Sequence, residues 1–151
     1  KPVTLTAEED YERGLIFSLG EGDNKDAKLA FSLFLSAAEK DYAPAQYKVG
    51  VAYAYGEGTD IDLSQAAYWY SLAADKGYAI AQRNLGVMYE NGNGVEQNKP
   101  LALAWYDILA DNGNVMDIRR RDMLASELSG DEVTKATQLK DQLINQIKTK
   151  N

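Results

Sequence analysis

A period of 36 residues runs through most of this chain, and it restricts the possible folds more than any other feature. Moved by one period, Ala43, Gln46, Gly50, Tyr53, Gly56, Gly58, Ala66, Trp69, Tyr70, Ala74 and Gly77 return as Ala79, Gln82, Gly86, Tyr89, Gly92, Gly94, Ala102, Trp105, Tyr106, Ala110 and Gly113, and in all 14 of 36 positions are identical. An earlier block keeps the register through Tyr11, Gly14, Gly20, Gly22, Asp26, Ala30, Ala37, Ala38 and Tyr42. The blocks occupy residues 7–42, 43–78 and 79–114. One such block cannot bury its own apolar face. It must stack on its neighbours, so the period calls for a solenoid.

Each block reads as two helices. From about Ala43 to Tyr55 the apolar positions Ala45, Val49, Ala52 and Tyr53 follow the spacing of one helix face. Gly56 then offers the left-handed conformation that ends a helix. Asp26, Asp62 and Asn98 hold one place in successive blocks, each a good N-cap, and Pro100 lies in a first helical turn, where proline is tolerated. The second helix runs through Ala66, Trp69, Tyr70, Ala73 and Ala74 and stops at Gly77. Gly14, Gly50 and Gly86 fall inside the first helix of their blocks. Glycine there costs about 1 kcal/mol against alanine, so a close approach of the partner helix is expected to offset it, with Phe17, Tyr53 and Tyr89 beside the contact.

The last part departs from the period. Residues 115–129 read as a partial fourth repeat, with Ser129-Gly130 as its end and Asp131 capping a longer helix over 131–148. That helix carries an apolar stripe of Val133, Ala136, Leu139, Leu143, Ile144 and Ile147. Its polar side of Lys135, Gln138, Lys140, Asp141, Gln142 and Asn145 suits the end of a stack. The expected fold is all-α, one repeat domain over residues 1–151.

Composition narrows the function. With no cysteine and no histidine, disulfides, thiolate sites, the commonest general base and the commonest transition-metal ligand are all missing. No nucleophile and base recur at hydrogen-bonding spacing, and the Gly56-Glu57-Gly58 and Gly92-Asn93-Gly94 turns lack the lysine of a phosphate loop. The acidic turns Glu21 to Asp26 and Glu57 to Asp62 do not follow the order of a calcium loop and read as turns with helix caps. Neither an enzyme nor a cofactor or metal is expected. A formal charge of −7 disfavours nucleic acid and anionic membrane faces, and no apolar run is long enough to span a bilayer. A protein or peptide partner and a monomeric chain are expected.

The pattern Ala-x-Ala-Gln, then Leu-Gly, Tyr, Gly-x-Gly-Val, an Asn, Trp-Tyr and a closing Ala and Gly, clearest from Ala79 to Gly113, resembles the Sel1-like repeat. The block from Ala43 to Tyr78 matches nearly as well. The first block departs from it, with Leu33 and Phe34 in place of Trp-Tyr. The resemblance covers roughly Ala7 to Leu128. It implies tetratricopeptide-like helix pairs in a right-handed αα-solenoid, here three repeats, a partial fourth and a C-terminal capping helix. It also implies an adaptor or scaffold, or else an immunity protein against a secreted toxin or a regulatory partner of a cell-envelope enzyme. Many bacterial members are exported. That habit, with the start at Lys1 rather than Met, points to a periplasmic or secreted site of action.

By analogy with tetratricopeptide repeats, the first helices line the concave face. Counted from the interior glycine, one row on that face is Tyr11, Tyr47, Arg83 and Arg119, the next Leu15, Val51, Val87 and Met123, and the third Leu19, Tyr55, Asn91 and Glu127. Tyrosine and arginine are common interface anchors, and Arg83 and Arg119 are placed to meet a carboxylate or chain terminus of a partner. The bland alternative is that the tyrosines pack the repeats and that Arg119-Arg120-Arg121 is a solvated face.

Overall fold

The computed structural model describes residues 2–20 and 25–151, and among these it contains eight helices and no strand. In chain order they are α1 (Ala7–Leu19), α2 (Ala27–Glu39), α3 (Ala43–Tyr55), α4 (Leu63–Asp75), α5 (Ala79–Asn91), α6 (Lys99–Ala110), α7 (Val115–Glu127) and α8 (Gly130–Lys150). The period sets these boundaries: α3 and α5 start and end 36 residues apart. The chain divides into two compact units, Lys1–Ala73 and Ala74–Asn151. The first is built on Ala30, Phe34, Ala37, Ala38, Ala45 and Val49, and the second on Ala102, Leu103, Tyr106, Leu124 and Ala136.

The recurring polar residues make recurring bonds. Asp26 accepts from the Leu29 N–H at 2.9 Å, Asp62 from the Gln65 N–H at 3.1 Å and Asn98 from the Leu101 N–H at 3.0 Å, which satisfies a helix start in each block. The N–H of the same cap residues donates back to the first helix, at Phe17 O, Tyr53 O and Tyr89 O over 3.1, 2.9 and 2.8 Å. Cap and hairpin closure are therefore one device. Gln46 and Gln82 are buried, and their amides donate to the carbonyls of Ala38 and Ala74 at 3.4 and 3.1 Å. Each thus adds a side-chain donor to a carbonyl at the end of the preceding block's second helix that also accepts a backbone N–H, from Asp41 at Ala38 and from Gly77 at Ala74.

The interior glycines do mark close approaches, but the rings that need the space come from the second helices. A Cβ on Gly14 would lie 2.6 Å from Phe34, one on Gly50 2.5 Å from Tyr70 and one on Gly86 2.6 Å from Tyr106. Phe17 and Tyr53 pack around the first core and Tyr89 around the second.

Several local expectations are corrected. Ser129, not Asp131, caps the last helix: its hydroxyl accepts from the Glu132 N–H while Glu132 accepts from the Ser129 N–H, so α8 begins at Gly130 and runs to Lys150. Lys140 does not belong to the solvent side of α8, because its ammonium reaches Asp107 at 3.2 Å and Asp111 at 2.9 Å on and after α6. Gly20 ends α1 with φ −60°, whereas Gly56 and Gly92 end α3 and α5 at φ 73° and 70°. Gly22 and the acidic positions Glu21 and Asp23 lie outside the described residues.

Candidate functional site: the faces of the first helices

In the first unit the expected rows fall on α1 and α3, and they divide by burial. Tyr11 is half-buried, its ring 5.7 Å from that of Phe34 and 5.4 Å from that of Tyr42. Tyr47 stacks at 5.8 Å on Tyr70. Both rings take part in repeat packing, and Leu15 joins the same core. Val51 is half-buried. The row at the C-terminal ends of the helices is different: Leu19 is 75% and Tyr55 72% exposed. Nearby, a cavity of about 290 Å³ lies over Phe31, Phe34 and Ala52, with Lys25 and Lys48 at its edge, a feature the repeat pattern did not single out.

In the second unit the rows fall on α5 and α7. Val87 is half-buried against the core, and Asn91, Arg119 and Glu127 are exposed. Met123 is 69% exposed, and Met116, one heptad before it, is 66% exposed. Arg83, expected to meet a partner's carboxylate, is already paired within the chain. Its Nε and Nη2 donate to the two carboxylate oxygens of Asp117 at 2.8 and 2.7 Å. Asp117 is 3% exposed. A charge that deeply buried needs a countercharge, so the guanidinium fork is committed within the chain.

A second committed carboxylate stands in the first unit. Asp10 holds the register of Gln46 and Gln82, but a carboxylate has no proton to give a carbonyl. It accepts instead from Ser36 at 2.7 Å and from the Lys40 ammonium at 2.6 Å, and Lys40 also donates to Leu5 O at 2.7 Å. The hydrogen bond from Lys40 holds the Asp10 carboxyl below the usual carboxylate range, and that from Arg83 does the same for Asp117. A carboxyl depressed by folding contributes stability above its unfolded value and loses it as pH falls through its folded value. The melting temperature should therefore hold steady down to about pH 5 and decline below about pH 4. The decline should be shallower in the Asp10→Asn, Asp117→Asn double variant, as thermal melts across that range will test.

The tyrosines at the repeat positions are packing residues. Tyr70 and Tyr106 are buried, and the Tyr106 hydroxyl donates to Glu90 at 2.6 Å. Burial, with the bond to Glu90, pushes that phenol well above its ordinary range, so it stays protonated. Asp62 of the second acidic turn is occupied as a cap by Ser64 and Gln65. Among the described residues no helix is long and apolar enough to cross a membrane.

Comparison with known proteins agrees with this architecture. No curated protein matches the chain. Among solved structures, a protective antigen present in uropathogenic Escherichia coli strains and displaying an SLR fold superposes with a TM-score of 0.83 at 32% identity, covering 93% of this chain and 30% of that one. A Sel1 repeat protein from Oxalobacter formigenes gives a TM-score of 0.73 at 29% identity, covering 78% of this chain and 48% of that one. This chain thus spans less than half the length of either. The Sel1 repeat model matches residues 10–42, 43–78 and 79–114, the blocks that the period delimits less residues 7–9 of the first, and the chain belongs to the Sel1 repeat family.

Proposed function

We propose that this protein is a scaffold or adaptor without catalytic activity that binds a partner protein or peptide on the faces of its first helices. The supporting observation is the exposure of large apolar side chains there: Leu19 and Tyr55 on the first unit, Met116 and Met123 on the second. Soluble proteins expose single apolar residues freely, but Leu19 and Tyr55 at one repeat register, and Met116 with Met123 two turns apart on one helix, read as interaction faces. Sel1 repeats generally serve protein–protein interaction, which favours the same reading. The immunity and envelope-enzyme readings are narrower forms of it, and a periplasmic or secreted site of action goes with them.

Affinity capture from the native host, with wild type beside a Leu19→Glu, Tyr55→Glu, Met123→Glu variant, tests the proposal. Loss of the captured partner with the fold intact is expected, and equal capture would contradict it. A tight one-to-one complex would identify an inhibitor, weaker binding to several components an adaptor, and altered wall-hydrolase activity on addition a regulator.

A further inference from the structure

Helix α7 carries a short strip whose composition differs from the rest of this acidic chain. Met116 and Met123 stand two turns apart on one side of the helix, 66% and 69% exposed, with Arg119 and Arg120 between them. The carboxylates around the strip are already engaged. Asp117 is buried against Arg83, Asp122 lies 2.9 Å from Arg121, Glu127 lies 3.8 Å from Lys99, and Glu90 accepts from Tyr106. Arg119 has no ion pair among the described residues. The Arg120 guanidinium sits 5.5 Å over the Tyr106 ring, and that ring is buried and anchored through its hydroxyl. The cation is therefore held in place before any partner arrives, which reduces the ordering cost of binding. Methionine adapts its shape to different apolar side chains, and arginine pairs with carboxylates through two parallel bonds.

We infer that the Met116–Met123 strip of α7 receives an acidic segment of a partner protein, with two apolar side chains set two turns apart on the methionines and carboxylates between them meeting Arg119 and Arg120. This rests on the protein-binding reading above and adds the partner's chemistry. It also gives a chain of net charge −7 a basic strip toward which acidic segments are drawn.

The test uses the full chain and a fluorescent helical peptide of about 14 residues with two leucines two turns apart and glutamates between them. A counterpart has lysine for each glutamate. The acidic peptide should bind at least about tenfold tighter than the lysine peptide, and its affinity should fall severalfold between about 50 and 300 mM salt. Arg119→Glu and Met123→Glu, both at exposed positions, should each weaken it about tenfold or more with unchanged helicity and melting temperature. Lys148→Glu, a charge reversal at an exposed position of α8, should leave it unaltered. Equal affinity for the two peptides, or full binding by Arg119→Glu, would overturn the inference. The broader protein-binding reading fails separately, only if face variants of both units still capture the native partner.

Discussion

Gly58→Ala should lower the melting temperature by roughly 8–15 °C, about 3–5 kcal/mol, while Gly113→Ala should cost only about 1 kcal/mol. The two glycines share a backbone conformation, φ +78° in each, so the left-handed penalty of a side chain is common to both. They differ in surroundings. A Cβ on Gly58 would stand 2.1 Å from the Ala27 carbonyl oxygen and 2.6 Å from its carbon, at the start of α2, whereas Gly113 has nothing within 4 Å. Backbone at a helix start cannot rotate away as a side chain can, so the second block's turn would have to lift off the first block. Thermal or denaturant unfolding of the pair isolates that contact. Similar losses for both variants would show that the turn does not seat on α2.

The second large effect reverses a familiar trend. Alanine in place of a mid-helix glycine ordinarily gains about 1 kcal/mol. Gly86→Ala should instead lose about 2–3 kcal/mol, because its Cβ would meet Tyr106 Cε1 at 2.6 Å. The ring has little room to yield: Tyr106 is 0% exposed and its hydroxyl is tied to Glu90 at 2.6 Å. Combining Gly86→Ala with Tyr106→Leu should cost measurably less than the sum of the two single losses, since the smaller side chain admits the new methyl. Strict additivity in denaturant unfolding would deny the contact. The same pairing in the other blocks, Gly14 with Phe34 and Gly50 with Tyr70, makes this a rule of the repeat.

What could be read from the sequence was what recurs. The period delimited the helix pairs, and Asp26, Asp62 and Asn98 were recognisable as caps because a polar side chain before a helix has one common use. The glycines point to close packing, but they do not point to the ring that fills the space, which is not the aromatic residue nearest in sequence. The rings that fill the space lie 20 positions further on, at Phe34, Tyr70 and Tyr106, a constant offset that only the hairpin geometry explains. Asp41 shows how a repeat position tolerates exchange. It occupies the place of Gly77 and Gly113 at φ 68°, a conformation aspartate visits more readily than most residues, and its carboxylate accepts from Gln46 at 3.2 Å.

The candidate face was legible in outline, with its charges misjudged. Arg83 was placed on the open row by register, which is correct for the backbone, but Asp117 belongs to the block where the period fades and gave no repeat signal. Lys140 escaped for the same reason, since a partner on another helix leaves no mark in local spacing, whereas the Ser129 cap is local, with Ser129 and Glu132 at the spacing of a capping box that the sequence does carry. Exposure of Leu19, Tyr55, Met116 and Met123 likewise depends on which neighbour is present, and that is a property of the folded stack.

Amide hydrogen exchange of the full chain with and without its captured partner addresses the central claim most directly. Partner binding should slow exchange on α1, α3, α5 and α7, with the clearest protection toward Leu19, Tyr55 and the Met116–Met123 strip, and should leave the outward side of α8 as it was. Protection confined to α8 or to the second helices, with the first helices unchanged, would contradict it.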